Sequence, residues 1–88
     1  MTRKECLKKA ETCVTGKREQ DYGTPENNFK LIADLWNSYL RAQIIQPVDV
    51  SMMMALLKIA RIRSGKATDD NFVDLAGYAA CGSEVNKS

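Results

Sequence analysis

The chain has 88 residues, of which 44% are hydrophobic and 27% are charged, as expected for one small globular domain. Its 13 basic and 11 acidic residues leave a net charge of +2, which by itself gives no indication of nucleic-acid binding, although a local basic stripe remains compatible with it. There is no histidine, which excludes every catalytic triad that uses an imidazole base.

The first predicted helix runs from about Thr2 to Arg18. Thr2 is followed three residues later by Glu5, which resembles a capping box at a helix start. Apolar residues then recur with spacings of three and four, which is the pattern of an amphipathic helix. The stripe consists of Leu7, Ala10, Cys13 and Val14.

The second predicted helix has the clearest start in the sequence. Thr24 is a favourable N-cap residue, and Pro25 suits the first helical position. We expect this helix to run from Pro25 to about Gln43. Its apolar face consists of Phe29, Ile32, Ala33, Trp36, Tyr39 and Leu40, widened by Leu31 and Leu35.

The third predicted helix, from about Pro47 to Arg63, is apolar nearly all round, which is typical of the buried helix of a domain. A fourth helix is predicted from about Asp69 to Val85, and the tail NKS is expected to fray. Four helices with short connections and no strand predict an all-α bundle that forms a single domain over residues 1–88, ordered from about 2 to 85. Because many large apolar residues share a small core, we also expect a homo-oligomer.

Three cysteines, Cys6, Cys13 and Cys81, are too few for a zinc site of the usual kind without carboxylates or a second chain. We expect them to be reduced thiols in a cytoplasmic protein. No signal peptide pattern is visible at the start. The most apolar stretch, VDVSMMMALLKIARI, is too short for a membrane span and carries Lys58 and Arg61, so no membrane contact is expected.

Two pairs of charged residues lie on helices that are otherwise apolar. Lys58 and Arg61 are three residues apart, and Asp70 and Asp74 are four apart, so each pair shares one face of its helix. The short loop between the third and fourth helices predicts that they pack antiparallel. We therefore expect Lys58 and Arg61 to meet Asp74, with Asp70 as a further candidate.

Two interpretations of this cluster stay open. In the first, it is an internal ion-pair network that fixes how the helices pack. In the second, it is part of a nucleotide pocket, because paired acids can hold Mg²⁺ and neighbouring basic residues can bind phosphate. Asn71 and Tyr78, three residues before and four after Asp74, are placed to add hydrogen bonds to either arrangement.

The segment DYGTPENN raises the same question. A turn followed by a capped helix explains Thr24 and Pro25 without any ligand. It does not explain Asp21, Tyr22 or the asparagines after the turn. Asn27 and Asn28 fall in the first turn of a helix, where exposed amide groups attract anions, so Asn27 is a candidate ligand-binding residue. Tyr22 is a candidate because the turn does not explain it.

The segments DYGTPENNFKLIADLWNSYL, MMMALLKIARI and DNFVDLAGYAACG together resemble a family of short phage and prophage proteins of unknown function, over about Cys6 to Glu84. That family is similar in turn to the MazG-like all-α nucleoside triphosphate pyrophosphohydrolases. Those enzymes are usually oligomeric and cleave between the α- and β-phosphates with Mg²⁺ held by acids on two helices. The resemblance implies Mg²⁺-dependent nucleotide binding or hydrolysis.

The same resemblance implies site residues. Asp70 and Asp74 match the later acidic motif of the MazG-like enzymes, whereas their EExxE motif is absent here. The implied metal ligands are therefore Asp70 and Asp74 together with Glu26, or with Asp49 in its place. Lys58 and Arg61 are implied to contact phosphates. The residues implied to position the ligand are Tyr22, Asn27, Asn71 and Tyr78.

An alternative from another class is a non-enzymatic module that binds a host protein or nucleic acid. Its candidate surface consists of Trp36, Tyr39 and the basic segment RKECLKK. The missing EExxE motif favours this alternative, whereas the pair Asp70 and Asp74 and the segment DYGTPENN favour the nucleotide site.

Overall fold

The structure is a computed structural model that describes residues 1–86, with every side chain in that range except those of residues 17 and 18. Its elements are α1 (Arg3–Thr12), a π-helical segment (Cys13–Lys17), α2 (Arg18–Tyr22), α3 (Pro25–Leu40), α4 (Pro47–Arg63) and α5 (Asp69–Val85). No strand occurs among these residues, and the predicted all-α bundle is confirmed. None of the described helices has the length and apolar character needed to cross a bilayer. The last two residues of the expected frayed tail lie outside the described range.

The predicted helix starts are confirmed by their hydrogen bonds. The Oγ1 atom of Thr2 accepts the N–H of Glu5 at 3.1 Å, and Oε1 of Glu5 accepts the N–H of Thr2 at 3.2 Å. At the start of α3, Oγ1 of Thr24 accepts the N–H of Asn27 at 3.4 Å. The first helical stretch, by contrast, extends beyond its predicted end at Arg18, because the π-helical segment carries the backbone directly into α2, which ends at Tyr22.

The second predicted helix is shorter than expected and ends at Leu40 instead of Gln43. Arg41 adopts the left-handed region with φ of 57°, which stops the helical backbone. The buried side chain of Asn37 then forms hydrogen bonds with the backbone of the loop. Its Oδ1 accepts the N–H groups of Ile44 at 3.0 Å and Ile45 at 2.8 Å, and its Nδ2 donates to the Ile45 carbonyl at 2.9 Å. An amide side chain thus fixes the connection from α3 to α4.

Helices α4 and α5 form a tight antiparallel pair. Ser51, near the start of α4, lies against Gly82 near the end of α5, whereas Lys58, later on α4, contacts Asp74, earlier on α5. A methyl group added at Gly82 would lie 2.5 Å from Oγ of Ser51. The missing side chain at Gly82 therefore sets how closely the two helices approach.

The core lies where α3, α4 and α5 meet. Its buried residues are Phe29, Ala33, Val50, Cys81 and Val85, with Val14, Ile32, Trp36, Ile45, Val48, Met54 and Tyr78 packed against them. The prediction that α4 is buried all round is wrong. On α4 the chain buries Val50, Ser51 and Ala55 and leaves the opposite face exposed, because α3 and α5 cover only one side of the helix.

Candidate functional site

A cleft of about 350 Å³ lies between the π-helical segment, α2 and α5. Its polar lining consists of Asp21, Tyr22, Asp74 and Tyr78, and the remaining lining residues are Cys13, Val14, Val73, Gly77 and Cys81. Three predicted site residues, Tyr22, Asp74 and Tyr78, therefore line one cavity. Its volume falls within the range of roughly 300–1,000 Å³ that is typical of small-molecule sites.

Glycines shape the walls of this cleft. A methyl group added at Gly77 would lie 3.0 Å from Cγ1 of Val14, so the bare backbone of α5 lets the π-helical segment come close. Helix α2 ends after Tyr22, because Gly23 adopts φ of +83°, a region that favours glycine. A π-helical turn next to a cleft is a common feature of functional sites.

The predicted ion pair between Lys58 and Asp74 is confirmed. Nζ of Lys58 lies 3.0 Å from Oδ2 of Asp74, and the side chains are 11% and 43% exposed, respectively. A lysine side chain so little exposed favours a charged partner for its ammonium group. Asp74 therefore has two surroundings: it neutralises Lys58 on one side and lines the cleft on the other.

Arg61 does not join this pair. It is exposed, and no ion pair links it to Asp70 or Asp74 among the described residues. At about 100° per residue, Arg61 is rotated about 60° around α4 from Lys58, away from the contact with α5. The prediction that both basic residues meet Asp74 is thus correct for Lys58 alone.

The three implied metal ligands are not brought together. Asp70 is exposed in the first turn of α5. Glu26 lines a separate cavity of about 430 Å³ with Val85 and Asn86, at the other end of α5. The rise of a helix separates Asp74 from Val85 by about 16 Å and Asp70 from Val85 by about 22 Å. Within residues 1–86, no three His, Cys, Asp or Glu side chains are grouped closely enough to hold a metal ion.

Two other candidates lie outside the cleft lining. Asn71 is buried in α5, with 9% of its surface exposed, and its backbone N–H donates to the Thr68 carbonyl at 3.1 Å. Asn27 is exposed in the first turn of α3. Neither asparagine is therefore part of the cleft lining.

Sequence reasoning missed Asp21 as a site residue. The expected end of the first helix at Arg18 leaves Asp21 in the connection before α3, without a helix face. In the structure it lies on α2 and lines the cleft beside Tyr22. The sequence signal that could have identified Asp21 is its position beside Tyr22, in a segment whose composition a simple turn does not explain.

The aromatic residues of the alternative surface have different surroundings. Trp36 packs partly against the core, whereas the side chain of Tyr39 is 87% exposed at the end of α3. In the basic segment at the start of α1, the side chains of Arg3, Lys4 and Lys8 are exposed. The alternative stays a prediction.

Comparison with known proteins gives the chain a family. Residues 5–86 match the model of DUF6378, a domain of unknown function. The gene 55 protein of Mycobacterium phage L5 is 47% identical over 73 residues, which is 83% of this chain and 47% of that protein. The gene 55 protein of Mycobacterium phage D29 is 43% identical over 75 residues, which is 85% of this chain and 49% of that protein.

The chain thus spans about half the length of the curated phage relatives that it matches. No solved structure matches it. The predicted resemblance to a phage protein family of unknown function is confirmed, and the further similarity to MazG-like enzymes stays a prediction. Since the family model covers nearly the whole chain, the protein belongs to the DUF6378 family.

Proposed function

We propose that the cleft binds a nucleotide together with Mg²⁺. The observation that carries this proposal is the cavity of about 350 Å³ that joins Tyr22 with Asp74 and Tyr78, which follow much later in the sequence. The cavity combines aromatic rings, which bases stack on, with carboxylates, which Mg²⁺ prefers as ligands. We also propose that the functional form of the protein is a homo-oligomer.

The tyrosines are the residues proposed to contact the base. The rings of Tyr78 and Phe29 have centroids 6.4 Å apart and an angle of 28° between their planes, so the core fixes the orientation of Tyr78. Tyr22 is 62% exposed at the end of α2. One ring thus belongs to the rigid wall of the cleft, and the other lies at its outer edge, where it can pack on a bound ligand.

The carboxylates of Asp21 and Asp74 are the proposed metal ligands. They enter the cleft from α2 and α5, respectively. Mg²⁺ commonly uses one or two carboxylates, several waters and the phosphates of its substrate. Two lining carboxylates therefore fit a metal that arrives with the nucleotide, which agrees with the lack of a three-ligand cluster among the described residues.

Lys58 is proposed to position Asp74. Its ammonium group lies 3.0 Å from Oδ2 of Asp74, and the whole Lys58 side chain is only 11% exposed. Asp21 and Asp74 would hold Mg²⁺, which would supply positive charge to the phosphates, while Lys58, outside the cleft lining, keeps the Asp74 carboxylate in place. The reaction to measure alongside binding is hydrolysis of a nucleoside triphosphate to the monophosphate and pyrophosphate, which the predicted MazG-like similarity implies.

The test compares Asp74→Asn with Asp34→Asn. Both aspartates belong to a Lys–Asp ion pair, but the pair of Asp34 with Lys30 is exposed on α3, outside the cleft. Each protein is unfolded thermally with ribo- and deoxynucleotides, with and without Mg²⁺, and pyrophosphate release is measured in parallel. A ligand at 100 times its dissociation constant adds about 2.7 kcal/mol, which raises the Tm of a small domain by about 10 °C or more.

We expect a Mg²⁺-dependent rise for the unsubstituted protein and for Asp34→Asn, and its loss in Asp74→Asn, each variant being compared with its own Tm without ligand. Asp74→Asn also lowers the ligand-free stability by about 1–2 kcal/mol, because Lys58 loses its partner. A panel without any rise, or an equal rise in both variants, contradicts the proposed site.

A further inference from the structure

The isolated chain exposes more surface than a monomer of its mass usually does. Its accessible surface is 6439 Å², whereas folded monomers of 9.8 kDa expose about 5,200 Å². The radius of gyration is 13.5 Å, compared with about 12 Å for a compact domain of this length. The excess of roughly 1,200 Å² is larger than the roughly 800 Å² that one partner contributes to a standard protein interface.

Exposed apolar side chains form two helical stripes, one on α3 with Leu31, Leu35 and Tyr39 and one on a single side of α4. Met52, Met53, Leu56 and Ile59 are 44%, 43%, 62% and 42% exposed, respectively, and their spacings of three and four place them on one helix face. We call this the outer face of α4, with Asp49 at its first turn and Arg63 at its last. Between those two ends this face carries no charged residue, because the exposed Arg61 lies about 140° around the helix from Leu56. Monomers seldom leave a continuous apolar face of this size in water.

The charges at the two ends of this face indicate what covers it. Leu56 lies seven residues after Asp49 and seven before Arg63. If two copies of α4 pack antiparallel with Leu56 at the centre, Asp49 of each copy faces Arg63 of the second copy. Met53 then faces Ile59 of the second copy, and the helix dipoles are also opposed. A parallel arrangement places like charges together at both ends.

We propose that two copies of this chain form a twofold dimer through the outer face of α4, with antiparallel helices that cross at Leu56. Such an interface uses the same surface on both subunits, which requires that surface to be self-complementary. The outer face of α4 meets that requirement in its charges and in its central apolar residues. Large flexible side chains such as methionine adapt well to this kind of packing.

The first test is the mass of the full chain in solution, measured by light scattering during size-exclusion chromatography. We expect twice the chain mass of 9.8 kDa for the unsubstituted protein and the single chain mass for Leu56→Asp. The matched control is Leu31→Asp on α3, because Leu31 is similarly exposed, at 57%, but lies outside the outer face of α4. This control is expected to stay dimeric. Met53→Lys is a second disrupting variant, and circular dichroism verifies that each variant is helical.

The second test separates antiparallel from parallel packing. Arg63→Asp places acidic residues together at both ends of the proposed interface, and we expect it to raise the dissociation constant about tenfold or more. Adding Asp49→Arg to Arg63→Asp restores opposite charges across the interface and is expected to recover most of the affinity. Because Oδ2 of Asp49 also accepts the N–H of Gln46 at 2.8 Å at the start of α4, circular dichroism verifies that the double variant keeps its helices. A monomeric unsubstituted chain, a dimeric Leu56→Asp variant or a double variant that stays as weak as Arg63→Asp overturns the proposal.

Discussion

The inner and outer faces of α4 have different surroundings. On the inner face, Val50 and Ser51 are fully buried and Ala55 is 9% exposed, all covered by other elements of the chain. On the outer face, Met52 and Leu56 are 44% and 62% exposed. Apolar composition therefore shows that both faces favour burial, whereas it does not show which one the chain itself covers.

Side-chain size explains the choice. The inner face presents small residues, Ser51 and Ala55, and meets Gly82 on α5, so two backbones come close together. Close backbone approach gives dense packing within one chain. The outer face carries long side chains, which fill the wider space between two separate surfaces. Substitutions on or beside each face test this explanation.

The largest effect is expected where the inner face is tightest. Gly82→Val places new atoms against Ser51, which is fully buried, so α4 and α5 must move apart. Overpacking of this kind is expected to lower the free energy of unfolding by about 3 kcal/mol. Urea unfolding followed by circular dichroism measures it. The control is Gly16→Val, because no described atom lies within 4 Å of an added methyl group there. An equal loss of unfolding free energy in both variants would contradict tight packing between Gly82 and Ser51 on the inner face.

A smaller loss is expected where the chain enters α4. Asn37→Ala removes the side chain that holds the backbone of Ile44 and Ile45 through three hydrogen bonds. Loop N–H and carbonyl groups are left without partners, which is expected to cost about 2 kcal/mol in thermal or urea unfolding. Asn27→Ala, an exposed change on the same helix, is expected to stay within about 0.5 kcal/mol. A loss at Asn37 no larger than at Asn27 contradicts the role of the Asn37 amide.

The smallest effect belongs to an exposed contact, far from both faces of α4. The backbone N–H of Thr2, and then its hydroxyl group, lower the pKa of Glu5 below its ordinary value of 4.5. Because the folded-state pKa is lower, the stabilisation from Glu5 is fully present above about pH 4.5 and is lost as the pH falls through the folded-state pKa. The Tm values of the unsubstituted protein and of Glu5→Gln are expected to converge as the pH is lowered. At neutral pH, Glu5→Gln is expected to change the Tm less when Thr2→Val is also present than when Thr2 is intact.

Local features were readable from the sequence because they depend on neighbours along the chain. The caps at Thr2 and Thr24, the start of α4 at Pro47 and the bounds of α5 follow from short-range hydrogen bonds and backbone preferences. The pair of Lys58 with Asp74 was also predictable, because helical spacing and a short loop limit which faces meet. The prediction that Arg61 meets Asp74 was wrong. A spacing of three residues leaves Arg61 rotated by about 60° from Lys58, and the spacing does not show whether that rotation keeps Arg61 at the contact with α5.

The sequence by itself determined the helices, their order and the pairing of Lys58 with Asp74, since each depends on local spacing and on the cost of leaving a shielded charge unpaired. Only the tertiary structure decided that Asp21 and Tyr22 meet α5 in one cleft and that Glu26 lies at the far end of that helix. It also decided which face of α4 stays uncovered. These facts depend on how closely helices approach, which the glycines at 77 and 82 control through contacts with residues distant in the chain.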